Sequence, residues 1–164
     1  MPELPSVSIV IIGKNEVNNI RDCIIALFEM DYPRELLEVM YVDTGSTDGT
    51  QVVASGMGVT VIEELSDTPS AAVGRNRGLA ESHNQIIHFI DGDMVITPGY
   101  LKKAVQILAE QNIACVFGRV IEKHTDTNWI SRILNIDWAK KEPGYIDAPG
   151  GGGTFRKSVL EQIG

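Results

Sequence analysis

The sequence predicts an α/β chain, a three-layer sandwich with helices on both faces of a mainly parallel central sheet. Three observations predict it. Apolar, often β-branched runs recur at Val7 to Ile12, Leu36 to Val42, Val59 to Ile62, Ile86 to Ile90 and Ile113 to Phe117. Between them, apolar residues recur at helical spacing. Several runs end in an acid or a polar turn, which places chemistry-bearing loops beyond the strand ends. Strands that are apolar on both faces suit a parallel sheet covered by helices.

The elements follow in order. Val7 to Ile12 is the first strand and leads into Gly13-Lys14-Asn15-Glu16. Val17, Ile20, Ile24, Leu27 and Phe28 then define a helix, with Asn15 as its candidate cap. Leu36 to Val42 is a second strand ending in Asp43. The turn Thr44-Gly45-Ser46-Thr47-Asp48-Gly49-Thr50 opens a short helix, with Ser46 or Thr47 as cap and Asp48 as loop organiser. Val59 to Ile62 is the third strand. The helix from Ala71 to Ser82 carries Gly74-Arg75-Asn76-Arg77-Gly78, two glycines that suggest close backbone approach to the sheet. Ile86 to Ile90 is the fourth strand and runs into Asp91-Gly92-Asp93. Thr97-Pro98 reads as the start of a helix with Tyr100, Leu101, Ala104, Val105 and Leu108 on its apolar face. Ile113 to Phe117 is a further strand. A helix is expected over 127–139, with Trp129, Ile133 and Ile136, and the glycine run Gly150 to Gly153 follows before Thr154-Phe155-Arg156.

Composition narrows the function. The 164 residues suffice for one domain with a core, and 43% hydrophobic content argues for a folded chain. No stretch reaches the about 20 apolar residues of a membrane span. Met1 to Pro5 carry no basic region, so no signal peptide is expected. Cys23 and Cys115 lie in apolar patterns and read as buried thiols in a reducing compartment, hence a cytoplasmic protein. The net charge of −8 is uneven: residues 1–100 hold 5 Lys and Arg against 15 Asp and Glu, while residues 101–164 hold 9 against 7. No general nucleic-acid binder is expected, since that function favours a basic face.

Asp91 and Asp93 are the metal candidates. Hard oxygen ligands suit Mg²⁺ or Mn²⁺, which keep waters and bind ligand phosphates. His83, His88 and His124 have no ligand spacing and read as ordinary histidines. Asp43 could accept hydrogen bonds from a base or ribose, or act as a turn acid. Glu16 could orient a ligand or satisfy first-turn amides. Arg75 suits a phosphate because its planar fork matches the oxygens, or it is a surface arginine. There is no Gly-x-Gly-x-x-Gly fingerprint, Walker loop or Gly-x-Ser-x-Gly elbow.

Four motifs taken together, Val7-Ser-Ile-Val-Ile-Ile-Gly-Lys-Asn-Glu16, Val42-Asp-Thr-Gly-Ser-Thr-Asp-Gly-Thr50, Gly74-Arg-Asn-Arg-Gly-Leu79 and Phe89-Ile-Asp-Gly-Asp93, resemble family 2 glycosyltransferases of the GT-A fold. Gly150-Gly-Gly-Gly-Thr-Phe-Arg156 is similar to that family's acceptor-side segment. The resemblance implies a GT-A nucleotide-diphospho-sugar transferase architecture with a Rossmann-like N-terminal part. It implies one domain over 1–164, with a nucleotide-binding half at 1–118 and a partial acceptor-side half at 119–164, incomplete at its C-terminus. The implied activity is metal-dependent, inverting transfer of a sugar from a nucleotide diphosphate sugar, with Mn²⁺ or Mg²⁺. A UDP-sugar is favoured, with GDP and dTDP as further options, and the acceptor is open.

The resemblance also implies roles. Gly13, Asn15, Glu16, Asp43, Ser46, Arg75, Asp91 and Gly92 would bind the nucleotide sugar, and Asp93 with Asp91 would hold the metal. Gly151, Gly152, Phe155 and Arg156 would build the acceptor and donor-sugar pocket. Two positions depart mildly: Gly13-Lys14 replaces a Thr-Tyr-like pair, and Thr44 replaces a second Asp. The family's catalytic base follows the Phe-Arg segment and is expected beyond Gly164, so the chain is read as truncated before it. Donor binding without transfer by these residues alone is the expectation. A nucleotidyltransferase and a non-catalytic nucleotide-sugar binding domain are the alternatives. Peripheral membrane contact through the Trp129–Trp138 helix and the oligomeric state stay open.

Overall fold

The computed structural model describes residues 3–118 and 152–163. The elements are β1 (Val7–Gly13), α1 (Ile20–Phe28), β2 (Leu37–Asp43), α2 (Thr50–Gly56), β3 (Thr60–Glu63), α3 (Ala71–Glu81), β4 (Ile86–Asp91), α4 (Tyr100–Glu110), β5 (Cys115–Val116), β6 (Gly153–Arg156) and α5 (Lys157–Ile163). They form a six-stranded sheet of order β3-β2-β1-β4-β6-β5. The first four strands are parallel, and β6 runs antiparallel to both β4 and β5. The helix expected over 127–139 and Gly151 lie outside the described residues.

Alternation along β1 divides the core. Val7, Ile9 and Ile11 pack with Ile20, Ile24 and Leu27 of α1 and Leu101 and Val105 of α4. Val10 and Ile12 face the opposite way, with Met40, Val42, Ile87 and Phe89 and partly buried Leu79 of α3 and Leu160 of α5. The sheet is thus covered on both sides, which is why its central strands read as mostly apolar runs. Among the described residues, no helix is long and apolar enough to cross a membrane.

The glycines of α3 serve close packing. A Cβ at Gly74 would stand 2.8 Å from Ile12 Cγ2, and one at Gly78 would overlap Val10 Cγ1. Ser70 caps this helix, its hydroxyl accepting from Val73 N at 3.2 Å.

Several expected boundaries move for physical reasons. Asn15 does not cap α1, since it adopts φ 60° and its side chain is engaged by the next loop. Neither Ser46 nor Thr47 caps α2; Asp48 accepts from Thr50 N at 3.0 Å instead. Thr97 and Pro98 precede α4 as a turn, in which Thr97 O accepts from Tyr100 N and Pro98 O accepts from Asp31 N. The strand expected over 113–117 shortens to Cys115–Val116; among the described residues it is an edge strand that pairs only at Phe155 and Thr154 of β6.

His88 lies in β4 opposite Thr154, with Nδ1 3.0 Å from the threonine hydroxyl. Nε2 is buried and has no hydrogen-bond partner among the described residues. Burial pushes its pKa down from 6.5 to about 4, opposed by a backbone hydrogen bond at Gly153. The folded chain therefore holds the imidazole neutral while the unfolded chain protonates it first. Stability is unaffected by this group above pH 6.5 and falls as the pH drops from 6.5 towards about 4. The total loss from this one proton is about 3 kcal/mol. Urea unfolding of wild type and His88→Asn over that pH window checks this, and the variant is expected to lose most of the extra slope.

Candidate functional site

Three strand ends meet at one edge of the sheet. In register, Gly13 of β1 lies beside Asp43 of β2, and Ile12 of β1 lies beside Asp91 of β4. The chain leaves β1 for β2 and β3 on one side, then returns through α3 to β4 on the other. This reversal of strand order makes a topological switch point between β1 and β4, the place where ligands of open α/β sheets bind.

The loops after β1 and β2 are knitted together. Asn15 N donates to Ser46 Oγ at 2.8 Å, and Asn15 Oδ1 accepts from Thr47 N at 2.8 Å. Glu16 N donates to Thr50 Oγ1 at 2.9 Å, and Val17 N donates to Asp48 Oδ2 at 3.0 Å. Hydrogen bonding from the Thr50 hydroxyl is the main cause holding the Asp48 carboxyl below the usual range. The turn needs left-handed backbone at Gly45 (φ 95°) and Gly49 (φ 92°), which glycine supplies without strain.

Asp43 is buried at 1% exposure and accepts from five donors. Tyr41 Oη (3.0 Å) and Ser46 Oγ reach Oδ1. Gly45 N (3.1 Å), Ser46 N (2.8 Å) and Gln51 Nε2 (2.8 Å) reach Oδ2. Gln51 carries no signal in the sequence. Its contact with Asp43 depends on the side chain's reach back from α2, which no local periodicity encodes.

At the end of β4, Asp91 Oδ1 pairs with Arg75 Nη2 of α3 at 2.7 Å. Burial raises the Asp91 pKa, the Arg75 charge opposes it, and the neighbouring Asp93 and Glu16 charges add to the rise. Gly92 turns the chain tightly: its N donates to Ile12 O at 2.8 Å, and a Cβ there would lie 3.2 Å from Glu16 Cγ. Asp93 is exposed beyond this turn. Cys23 beneath the cluster is pushed up to about 12, by burial first and then by Asp93, Asp91 and Glu16. Glu16, Asp91 and Asp93 therefore form one acidic end.

Among the described residues, no group of three or more His, Cys, Asp or Glu is arranged to hold a metal ion. The donor set is hard oxygen and small in number. This suits a Mg²⁺- or Mn²⁺-like ion that takes one or two protein carboxylates and completes its shell with water and ligand phosphates. It does not suit a closed structural zinc site.

Not every expected site residue joins this edge. Gly152 stays near it, where a Cβ would lie 3.4 Å from Phe89 O. Phe155 and Arg156 do not, because antiparallel pairing sets them opposite Ile87 and Ile86, at the far end of β4 from Asp91. Phe155 packs edge-on against Phe89 and Phe117. Arg156 donates to the carbonyls of Ile113 (3.0 Å), Gln111 (3.3 Å) and Leu108, at the C-terminal end of α4.

Comparison with known proteins agrees with this geometry. The chain is 33% identical over 123 residues to glycosyltransferase AglE of Haloferax volcanii, covering 71% of this chain and 40% of the relative. It thus spans less than half the length of that relative, and 43% of a second one from Bacillus subtilis. The mannosyltransferase of Pyrobaculum calidifontis, solved in complex with GDP-Man and Mn²⁺, superposes with a TM-score of 0.74 at 25% identity, over 99% of this chain and 48% of that one. Glucosyl-3-phosphoglycerate synthase of Mycobacterium tuberculosis, solved with Mn²⁺, UDP and glucosyl-3-phosphoglycerate, shares the fold with a TM-score of 0.67 at 22% identity, over 95% and 58% of the two chains. The family profile described as glycosyl transferase family 2 matches residues 8–164. With a mixed α/β sheet of GT-A type and a match over nearly its whole length, the chain belongs to glycosyltransferase family 2.

Proposed function

We propose that these residues form the donor-binding part of a metal-dependent, inverting glycosyltransferase that transfers a sugar from a nucleotide diphosphate sugar to an acceptor hydroxyl. The observation that carries this reading is the register that sets Asp43 beside Gly13 and Asp91 beside Ile12, so that both acids stand at the same end of β1, with Asp93 just beyond Gly92. The nucleotide lies across the knitted loops of Gly13, Asn15, Glu16 and Ser46, with its base towards Asp43 and its ribose towards Asp91. Arg75 holds one Asp91 oxygen and leaves the other for the ligand. Asp93, with Asp91 beside it, faces the diphosphate. A divalent cation bound there supplies the charge that stabilises the leaving diphosphate. Gly152, close to the end of β4, and Gly151, outside the described residues, belong to the donor-sugar side. A carboxylate that deprotonates the acceptor is a further requirement, and we place it outside the described residues. Neighbours of this fold solved with either GDP-Man or UDP support a nucleoside diphosphate donor as a class.

Calorimetry with UDP, GDP and dTDP, with and without Mn²⁺, tests the reading. At least one nucleotide is expected to bind more tightly with Mn²⁺. Asp93→Asn is expected to lose most of that gain, about tenfold or more in affinity, since a neutral amide is a poorer ligand for a hard cation. Equal affinity with and without the metal in wild type contradicts it.

A further inference from the structure

The crowding around Asp43 has a consequence for base selectivity. A carboxylate offers about four lone-pair sites, and Asp43 already receives five donors. Four of them are fixed by the fold. Tyr41 is fully buried on the same strand, and the Gly45 and Ser46 amides belong to the tight turn. The Ser46 hydroxyl is held in addition by the Asn15 amide. Gln51 is the exception. It reaches Asp43 Oδ2 from the second residue of α2, through a long side chain that is only half-buried.

We infer that Gln51 is a specificity-determining residue, whose amide occupies the Asp43 oxygen that a nucleobase N–H takes when the donor binds. This deepens the proposed function and rests on its reading of Asp43 as facing the base. A base with a ring N–H, such as uracil or guanine, replaces the lost donor. Cytosine presents a ring nitrogen acceptor at that position and gives no such compensation. The free chain therefore carries a bond that must be broken before a base is read, and each N–H-bearing base must regain it.

The test compares UDP, GDP and CDP binding by calorimetry, with Mn²⁺ present, in the full chain and in Gln51→Met. Methionine keeps the length and helix preference but cannot donate. Gln51→Asn, too short to reach Asp43, reads the same contact if the first variant folds poorly. The expected result is that UDP or GDP binds about tenfold more tightly in the variants while CDP is unchanged, because one charge-assisted bond no longer has to be broken. A parallel change for all three nucleotides, or no change in their ratio, overturns the inference, since a merely structural Gln51 would act on all alike. Failure of wild type to bind any of the three overturns the donor reading itself and the inference with it.

Discussion

Arg156→Ala is expected to destabilise the chain by about 3 kcal/mol while leaving nucleotide affinity intact. The guanidinium donates from Nε to Ile113 O and from Nη2 to Leu108 O and Gln111 O. The last carbonyls of a helix have no intrahelical partner, and α4 ends at Glu110. Arg156 therefore caps α4 from the neighbouring strand and places a positive charge at the negative end of its dipole. Charge-assisted bonds contribute about 1.5–3 kcal/mol each. Water replaces part of them when the side chain is removed, which keeps the total for all three near that of one strong bond, about 3 kcal/mol. Arg156→Lys is expected to recover less than half, since an ammonium cannot fork across three carbonyls. Urea unfolding gives the stability change, and nucleotide calorimetry on the same samples gives the affinity. A lost affinity with unchanged stability would place Arg156 in the ligand pocket instead.

Gly78→Val is expected to cost about 3 kcal/mol and, unlike the arginine change, to weaken nucleotide binding as well. An added Cβ would overlap Val10 Cγ1 and stand 3.1 Å from Val10 Cγ2. Val10 is fully buried on the central strand, so it has no space to retreat. α3 must then move away from the sheet, and α3 also carries Arg75, which grips Asp91 at 2.7 Å. A shift of the helix loosens Asp91 at the end of β4. Gly74→Ala meets Ile12 Cγ2 at 2.8 Å and is expected to act in the same direction with a smaller effect. Thermal unfolding combined with nucleotide titration checks the coupling. An unfolding midpoint equal to wild type would show that the helix–sheet seam is not tight.

Much of this fold is legible in the sequence because its physics is local. β1, β2 and β4 are buried on both faces, so each is written as a mostly apolar run, broken once by Ser8, Glu38 or His88, and two of them end in an acid, Asp43 and Asp91. The glycines of α3 stand out because glycine inside a helix needs a reason, and the sheet beneath supplies it. Asp48 reads correctly as a loop organiser, because an acid at the start of a short helix has orphan amides to satisfy.

The misplaced residues depend on long-range pairing. The glycine run suggests a ligand pocket around everything that follows it. β6, however, runs antiparallel to β4, so each residue from Gly153 to Arg156 steps away from Asp91. Direction of pairing is not encoded in local spacing, and Arg156 is carried to the opposite end of the sheet. Asn15 fails as a cap for a similar reason. Its side chain is claimed by Thr47 of the next loop, and its left-handed backbone turns the chain before α1 begins. Gln51 and the saturation of Asp43 become visible only once the turn after β2 has folded back on itself.

In the proposed function, the joined ends of β1, β2 and β4 hold a nucleoside diphosphate with a cation at Asp93. The most direct measurement is anomalous diffraction from crystals of the chain grown with UDP or GDP and Mn²⁺. The expected result is a manganese peak against the Asp93 carboxylate and beside the diphosphate, with the base on the Asp43 side of the strand-end edge. A nucleotide seated elsewhere on the molecule, or manganese with no contact to Asp93 or Asp91, would contradict it.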